Sequence, residues 1–420
     1  MNISSIKWLR RLLLASTYIL GVVGVLGSSG GGGLGGGDFE PCKDGACDCI
    51  QDPYACEEGV VGGTGPYVAS IAVALDSSDD VYVGGGFTTF ENFAANRIAR
   101  LNNDGSLDTG FVTGDGFTST ISAIAPANDG SGDVYVGGGF AAYDGTALGY
   151  IARLNLDGTL DTSFDTGTGF NSNVTNIAPA NDSSGDVYVS GYFTSYNGIA
   201  VGSGLIRLND DGSIDAGFST GSGWGTTGIA AATDGSGDVY VTRSTSPGIA
   251  RLNNDGSIDT GFDTGLSGFN DGVRAIAVAT DGSGDIYAGG YFSGYNGTGT
   301  NDLARLNLDG SLDSGFVTGA GFVGGISFIT PAIDGSGDIY VGGQFVDYNG
   351  TAVGSIARLN LDGTLDATFA TVIGFNESTS SAALATDGSG DVYVGGYFTR
   401  YNSSPASYMA RLTAGGAFVR

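Results

Sequence analysis

The chain has 420 residues with 78 glycines, 41% hydrophobic and 14% charged residues, a composition between an ordinary globular domain and a low-complexity polymer, so periodicity has to decide between them. Its 44 acidic against 16 basic residues leave a net charge of −28, a field that repels nucleic acid and anionic membrane surfaces, so no nucleic-acid partner is expected. The absence of histidine removes the commonest general base and metal ligand, so serine-triad and zinc-hydrolase chemistry lose their support, while two-carboxylate glycosidase chemistry stays open.

At the N-terminus Lys7, Arg10 and Arg11 precede an apolar run from Leu12 to Leu26 and then small residues from Gly27 to Gly33, the layout of a secretory signal peptide over residues 1–27. The run of 15 residues falls short of the ~20 that a spanning helix needs, so no transmembrane segment is expected after signal removal. The expected location is outside the cytoplasm: secreted, periplasmic or associated with the cell envelope. Without the three basic residues the remaining chain sets 44 acidic against 13 basic groups, about −31. Leu26-Gly27-Ser28-Ser29 resembles a bacterial lipoprotein processing box, but Ser29 stands where lipid transfer needs a cysteine thiol, which favours free export.

Residues 28–37 read as a Gly/Ser linker with nothing to bury. Residues 38–58 hold all four cysteines, Cys42, Cys47, Cys49 and Cys56, and an even number in an exported chain reads as two disulfides. A Cys47–Cys49 bond would close a very tight loop, which leaves two connectivities open. A four-thiolate metal site lacks the paired C-x-x-C spacing.

From residue 59 to the end the chain repeats. Asp-Val/Ile-Tyr begins at Asp80, Asp133, Asp186, Asp238, Asp285, Asp338 and Asp391, at intervals of 53, 53, 52, 47, 53 and 53 residues, with one deletion after Tyr240. The unit from Ile124 to Phe164 predicts four short strands. Ile124-Ala125 ends at the turn Asp129-Gly130-Ser131-Gly132; Asp133-Val134-Tyr135-Val136 is apolar on consecutive positions and must be covered on both faces; Gly137-Gly138 ends that run. Tyr143-Asp144-Gly145, which is Tyr-Asn-Gly at Tyr196, Tyr295 and Tyr348, supplies residues that accept the positive φ of a turn. Ile151-Ala152-Arg153-Leu154, the turn Asn155 to Gly158 and a fourth strand over Thr159 to Phe164 complete the unit. Such units cannot bury two apolar faces alone, and four strands per unit select a ring over an open array, so the expected fold is all-β, a seven-bladed β-propeller of four-stranded antiparallel blades over residues 59–420. Gly59-Val60-Val61 is a candidate latch strand beside the degraded fourth strand at Ala417 to Arg420.

The unit Asp-Val-Tyr-Val-Gly-Gly-x-Phe, Tyr-Asn-Gly, Ile-Ala-Arg-Leu-Asn-x-Asp-Gly-Ser-Leu-Asp-x-x-Phe resembles the delta-60 repeat family, over about Gly62 to Arg420. The resemblance implies a β-propeller of unknown function in exported bacterial proteins and carries no catalytic residues. The piece Ser106-x-Asp108-x-Gly110 partly resembles the Asp-box turn of sialidase-type propellers, without its Thr-Trp element, which implies a structural turn only.

Three recurring sets are candidate sites. Arg100, Arg153, Arg207, Arg251, Arg305, Arg358 and Arg411 recur in the third strand, where a packed guanidinium needs carboxylate partners such as Asp108, Asp161, Asp215, Asp259, Asp313 and Asp366. Asp129, Ser131 and Asp133, with the pairs Asp234/Asp238, Asp281/Asp285, Asp334/Asp338 and Asp387/Asp391, start like a calcium loop. Val134 and Phe140 then occupy its glycine and bidentate-glutamate positions, so a plain hairpin turn is the simpler reading. Calcium is the only cofactor the pattern suggests. Trp224 takes the place held elsewhere by Phe117, Phe170, Phe269, Phe322 and Phe375 and reads as core, and the aromatics of the Tyr-Asn-Gly loops either anchor the turn or stack on sugars. Near-uniform repetition points to a non-enzymatic binding scaffold for a protein or glycan, with few residues that break the symmetry, namely Glu91, Arg97, Arg243, Arg274 and Glu377. The rival is a carbohydrate-active enzyme with two unrepeated carboxylates facing the central channel.

Overall fold

A computed structural model describes residues 66–419, apart from 91–92, 203, 222–227, 244–247, 370 and 372. The expected signal peptide, linker, cysteine segment with Cys42, Cys47, Cys49 and Cys56, latch Gly59-Val60-Val61, Glu91 and Trp224 lie outside the described residues.

In the second repeat the first strand, Ile121–Pro126, pairs antiparallel with the middle strand, Val134–Gly138, which pairs in turn with the outer strand, Ile151–Leu154. The same first–middle–outer order recurs in all seven repeats. The middle strand is buried along its whole length, with Val134 and Val136 on one face and Tyr135 on the other, as its unbroken apolar run requires. Its burial comes from neighbouring repeats. One core cluster joins Ala125, Tyr135 and Ile151 of the second repeat to Val174, Val187 and Val189 of the third.

The seventh repeat meets the first in the same way. Val68 and Ile71 share a cluster with Ala385 and Tyr393, the Ile71 amide donates to Ser381 Oγ at 3.1 Å, and Ser380 Oγ donates to the Val68 carbonyl at 2.5 Å. The Ile124 amide makes the corresponding bond to Ser70 Oγ between repeats one and two, at 3.0 Å. The repeats therefore close into a ring of seven blades, with the seven first strands facing one central cavity.

Two expectations need correction. The fourth strand, expected over Thr159 to Phe164, shrinks to the single bridge Leu154↔Leu160. The chain bends away immediately afterwards, because the Asp161 carboxylate accepts from the amide and hydroxyl of Ser163 and closes a side-chain turn. Among the described residues only the last blade carries a regular fourth strand, Phe418–Val419, paired with Met409–Leu412. Gly137 and Gly138 continue the middle strand instead of ending it. They are glycines because a Cβ on Gly138 would sit 2.2 Å from the Thr120 carbonyl oxygen and one on Gly137 would sit 2.4 Å from a Val174 methyl.

The Tyr-Asn-Gly segments turn as expected and gain short strands of their own. Ser195–Tyr196 pairs with Ile199–Ala200 around Asn197 and Gly198, both at positive φ (50° and 73°). Each tyrosine is buried, and its hydroxyl donates to a glycine carbonyl of the outer turn, as Tyr143 does to Gly158 at 2.5 Å and Tyr196 to Gly212 at 2.6 Å. Phe117 packs between Phe140 and Tyr143, with ring centroids at 4.3 and 4.5 Å. These tyrosines anchor the turn and offer no ring to a sugar.

The ring thus has two unlike faces. One carries the Asp-Gly-Ser-Gly and Asn-x-Asp-Gly turns; the other carries the hairpins and the connections into each first strand. Replacing Gly138 with alanine drives a methyl into backbone and is expected to cost about 1–3 kcal/mol. Alanine at Gly130, where no atom lies within 4 Å but φ is +82°, should cost about 1 kcal/mol. Urea midpoints of the two variants check the order.

Candidate functional site

The seven recurring arginines occupy cages at the turn face. Arg100 is 4% exposed; its Nη2 lies 2.5 Å from Asp76 and 3.0 Å from Asp80, and its Nε lies 3.7 Å from Asp108. Asp76 and Asp80 come from the turn between first and middle strands, and Asp108 follows the outer strand. The guanidinium also lies over the Tyr82 ring at 5.3 Å, and its Nη1 donates to the Leu156 carbonyl of the next blade at 3.1 Å. One side chain therefore ties three segments of its own blade to its neighbour.

Arg207, Arg251, Arg305 and Arg358 repeat the three-carboxylate arrangement with Asp182/Asp186/Asp215, Asp234/Asp238/Asp259, Asp281/Asp285/Asp313 and Asp334/Asp338/Asp366. Arg411 pairs with Asp387 and Asp391 at 2.8 Å each and donates to the Asn103 carbonyl of the first blade at 2.7 Å, carrying the link across the closure. Blade two is the variant. Arg153 leans toward Asp161 at 2.5 Å and toward Asp210 of blade three, while Asp133 lies 3.8 Å away.

The two turn aspartates are unlike each other. Burial works to raise Asp76, but the Ser78 hydroxyl and amide, and then Arg100, outweigh it and hold the carboxyl below its ordinary range. The same balance lowers Asp129, Asp182, Asp234, Asp281 and Asp387, and takes Asp334 down to about 2. At Asp80, Asp133, Asp186 and Asp285 burial prevails over the arginine and, with neighbouring carboxylates, pushes the group up.

Of the residues in the calcium reading, Asp234/Asp238, Asp281/Asp285, Asp334/Asp338 and Asp387/Asp391 each aim both carboxylates at one guanidinium. In blade two the Ser131 amide donates to Asp129 and Ser131 Oγ accepts from the Asp133 amide, so the serine links the two ends of the turn. Where a cation would sit between the paired carboxylates, a guanidinium nitrogen already stands. Among the described residues no group of three or more Asp, Glu or Cys side chains is arranged to hold a metal ion.

The opposite face carries the divergence. In six first strands a register shift skips one residue and turns it toward the cavity: Ala69, Ser122, Thr175, Arg274, Ser327 and Ser380. The cavity measures about 230 Å³, and its described lining contains serine, threonine, asparagine, small and apolar residues, a single arginine and no carboxylate. At the same end of the blades the residue after the Gly-Gly pair, Ser190-Gly191 in blade three, also varies, as Gly86, Gly139, Tyr192, Tyr291, Gln344 and Tyr397. Tyr397 stacks on Tyr67 across the blade seven–blade one junction at 4.7 Å.

Of the symmetry-breaking residues singled out from sequence, Arg274 reaches the cavity, and Arg97 is tied by its Nη1 to the carbonyls of Gly86 and Phe87. Glu377 is exposed and outside the cavity lining. Tyr192, Tyr291 and Tyr397 are not among the residues marked by sequence, although their shared position just past the middle strand is readable once the units are aligned. Asp302, in the left-handed residue that precedes an outer strand (φ 70°), is raised to about 6 by burial and by the Asp271 charge.

A family model described as a domain of unknown function (DUF5122) beta-propeller matches seven segments, 78–111, 130–164, 183–218, 233–262, 282–316, 335–369 and 386–418, together more than half of the chain. No curated protein sequence matches. The WD40 beta propeller domain of Doa1 is similar in structure at 16% identity, with a TM-score of 0.54, over 83% of this chain and 98% of that one, a likeness of fold. Among the described residues no helix is long and apolar enough to cross a membrane.

Three outcomes follow from the cages and from Asp302. Replacing Arg207 with methionine leaves three partly buried carboxylates without their cation and should cost about 3–5 kcal/mol, measured by urea denaturation. Carboxyls raised on folding, Asp302 most of all, cost stability while ionised and release that cost as pH falls through about 6 toward their unfolded values; carboxyls lowered on folding contribute stability above about pH 4 and lose it below. A melting series should therefore rise from pH 7 to a maximum near pH 4–5 and fall steeply below. Millimolar calcium or chelator should leave the melting temperature unchanged, since a guanidinium fills the cage; a calcium-dependent rise would return the turns to metal binding.

Proposed function

The chain belongs to the DUF5122 β-propeller family, a domain of unknown function, and we propose that this protein is a non-enzymatic binding scaffold, exported to the cell envelope or the outside, that presents one face of its ring to a protein or glycan. The observation that carries this reading is the separation of the two faces. The repeated charges are consumed in cages at the turn face, whereas Tyr192, Tyr291, Tyr397 and Arg274, which differ from blade to blade, lie at the opposite end of their blades, Arg274 in the cavity lining with its guanidinium over Tyr291, and Tyr397 stacked on Tyr67. Repetition maintains a scaffold; local departure from it is what a specific ligand requires.

Export is supported by the leader pattern of residues 1–27 and by the unit's resemblance to delta-60 repeats of exported proteins. The carbohydrate-active alternative needs two carboxylates facing one pocket, and the described lining of the central cavity supplies none.

A glycan array, probed with full-length protein and read alongside product analysis of the same glycans, tests the proposal. Binding without turnover is expected, weakened by Y192A or Y397A on the divergent face and untouched by L308A or L361A on the turn face. Release of shortened glycans, or equal loss from both faces, would sink it.

A further inference from the structure

The channel mouth at blades five and six has the makings of a built anion site. Arg274 occupies a bulge position that is alanine, serine or threonine in the other described blades, so a long cation replaces a small side chain at one point of the ring. It is exposed to the cavity, and no carboxylate among the described residues lies within ion-pairing distance of it. That is unusual in a chain of net charge −28, seven of whose arginines are held by two or more carboxylates.

Arg274 is also held in place. Its guanidinium lies over the Tyr291 ring at 4.6 Å, and that ring lies in turn against blade six at Gly325, where a Cβ would stand 2.1 Å from Tyr291 Cε1. Glycine at 325 is thus what lets the tyrosine lie down, and the tyrosine supports, from one side, an arginine that belongs to the cavity lining. The residues around it are donors and acceptors without charge. The hydroxyls of Ser122 and Ser327 face the cavity with no protein partner among the described residues, and Asn176 and Thr175 line the same space. At the junction of blades seven and one, the Tyr67–Tyr397 stack, tilted by only 14°, adds a flat aromatic surface.

We infer that this mouth binds a sugar acid, with the carboxylate of a uronic-acid residue on Arg274, the ring hydroxyls on the serine, threonine and asparagine side chains, and an adjoining sugar against the tyrosines. Three considerations select this ligand. One guanidinium matches a monoanionic carboxylate through two parallel hydrogen bonds, whereas a phosphate dianion would be left half-neutralised in a negative field. A lining rich in hydroxyls suits a polyol better than an alkyl carboxylate. The cavity of about 230 Å³ takes one sugar ring, not a folded peptide segment.

This inference rests on the scaffold reading and is tested separately from it. Calorimetric titration of the full-length protein with trigalacturonate, galactotriose and a triglutamate peptide is the measurement. Saturable binding of trigalacturonate is expected, at least tenfold tighter than galactotriose or the peptide. It should fall at least tenfold in R274Q and severalfold in S327A, and stay unchanged in R400Q on an outer hairpin, with melting curves of all three variants matching the parent. Equal affinity for galactotriose, preference for triglutamate, uronate binding that R274Q leaves intact, or no uronate binding at all would each overturn the sugar-acid site. Array binding that Y397A weakens would still uphold the scaffold in any of those cases.

Discussion

A guanidinium withdrawn from water inside each blade is the constraint on which the ring depends. An isolated buried cation is costly, and the ion pair that compensates it is close to neutral against a well-packed apolar replacement, so the cages are not the main source of stability. Their value lies in what they exclude. Arg207 is accommodated only when the first turn brings Asp182 and Asp186, the segment after the outer strand brings Asp215, and the next blade brings the side chain of Asn254. A strand slipped by one residue would turn the arginine to the other face and leave those carboxylates uncompensated. The apolar middle strands supply the driving force for stacking, and the cages select a single register for it.

This accounts for the acidity of the chain better than any ligand does. Each cation draws two or three aspartates, of which the one in the Asp-Gly-Ser-Gly turn also binds its own backbone, and each Asn-x-Asp-Gly turn uses a further carboxylate for the same purpose, as Asp104 binds the Ser106 amide and hydroxyl. The excess of aspartate is therefore written into the repeat unit. It also explains the short fourth strand: Asp161 has to turn toward both Ser163 and Arg153, and a residue committed to a side-chain turn cannot continue a ladder.

The parts of the fold that were legible in the sequence are those governed by local rules. The third strand, Ile151 to Leu154, was read with its observed bounds, and the Asn-Gly turns with their positive φ, because alternation and turn chemistry are properties of neighbouring residues. The glycine pair was misread as a stop because its cause lies elsewhere: the backbone of Thr120 and the side chain of Val174 in the next blade forbid a Cβ there, and neither is visible along the strand. Arg274 was recognisable as a break in symmetry. Its direction was not, since a bulge moves the inward-facing position by one residue and the alternation pattern cannot register that shift.

The two ends of each blade therefore answer to different demands. At the turn end, changing one residue disturbs an arginine, two or three aspartates and the neighbouring blade at once, so the seven units are held alike. At the bulge end the demand is looser: Ser380 bonds the Val68 carbonyl and Thr175 the Ser190 carbonyl, but Ser122 and Ser327 make no such bond among the described residues, so the bulge position accepts alanine, serine, threonine or, at Arg274, a long cation. A ring assembled from near-identical blades would present a sevenfold-symmetric mouth, which suits few ligands. Because the cages that enforce likeness lie at the opposite face, a single arginine, set on a tyrosine that a neighbouring glycine admits, can give that mouth a direction without loosening the ring.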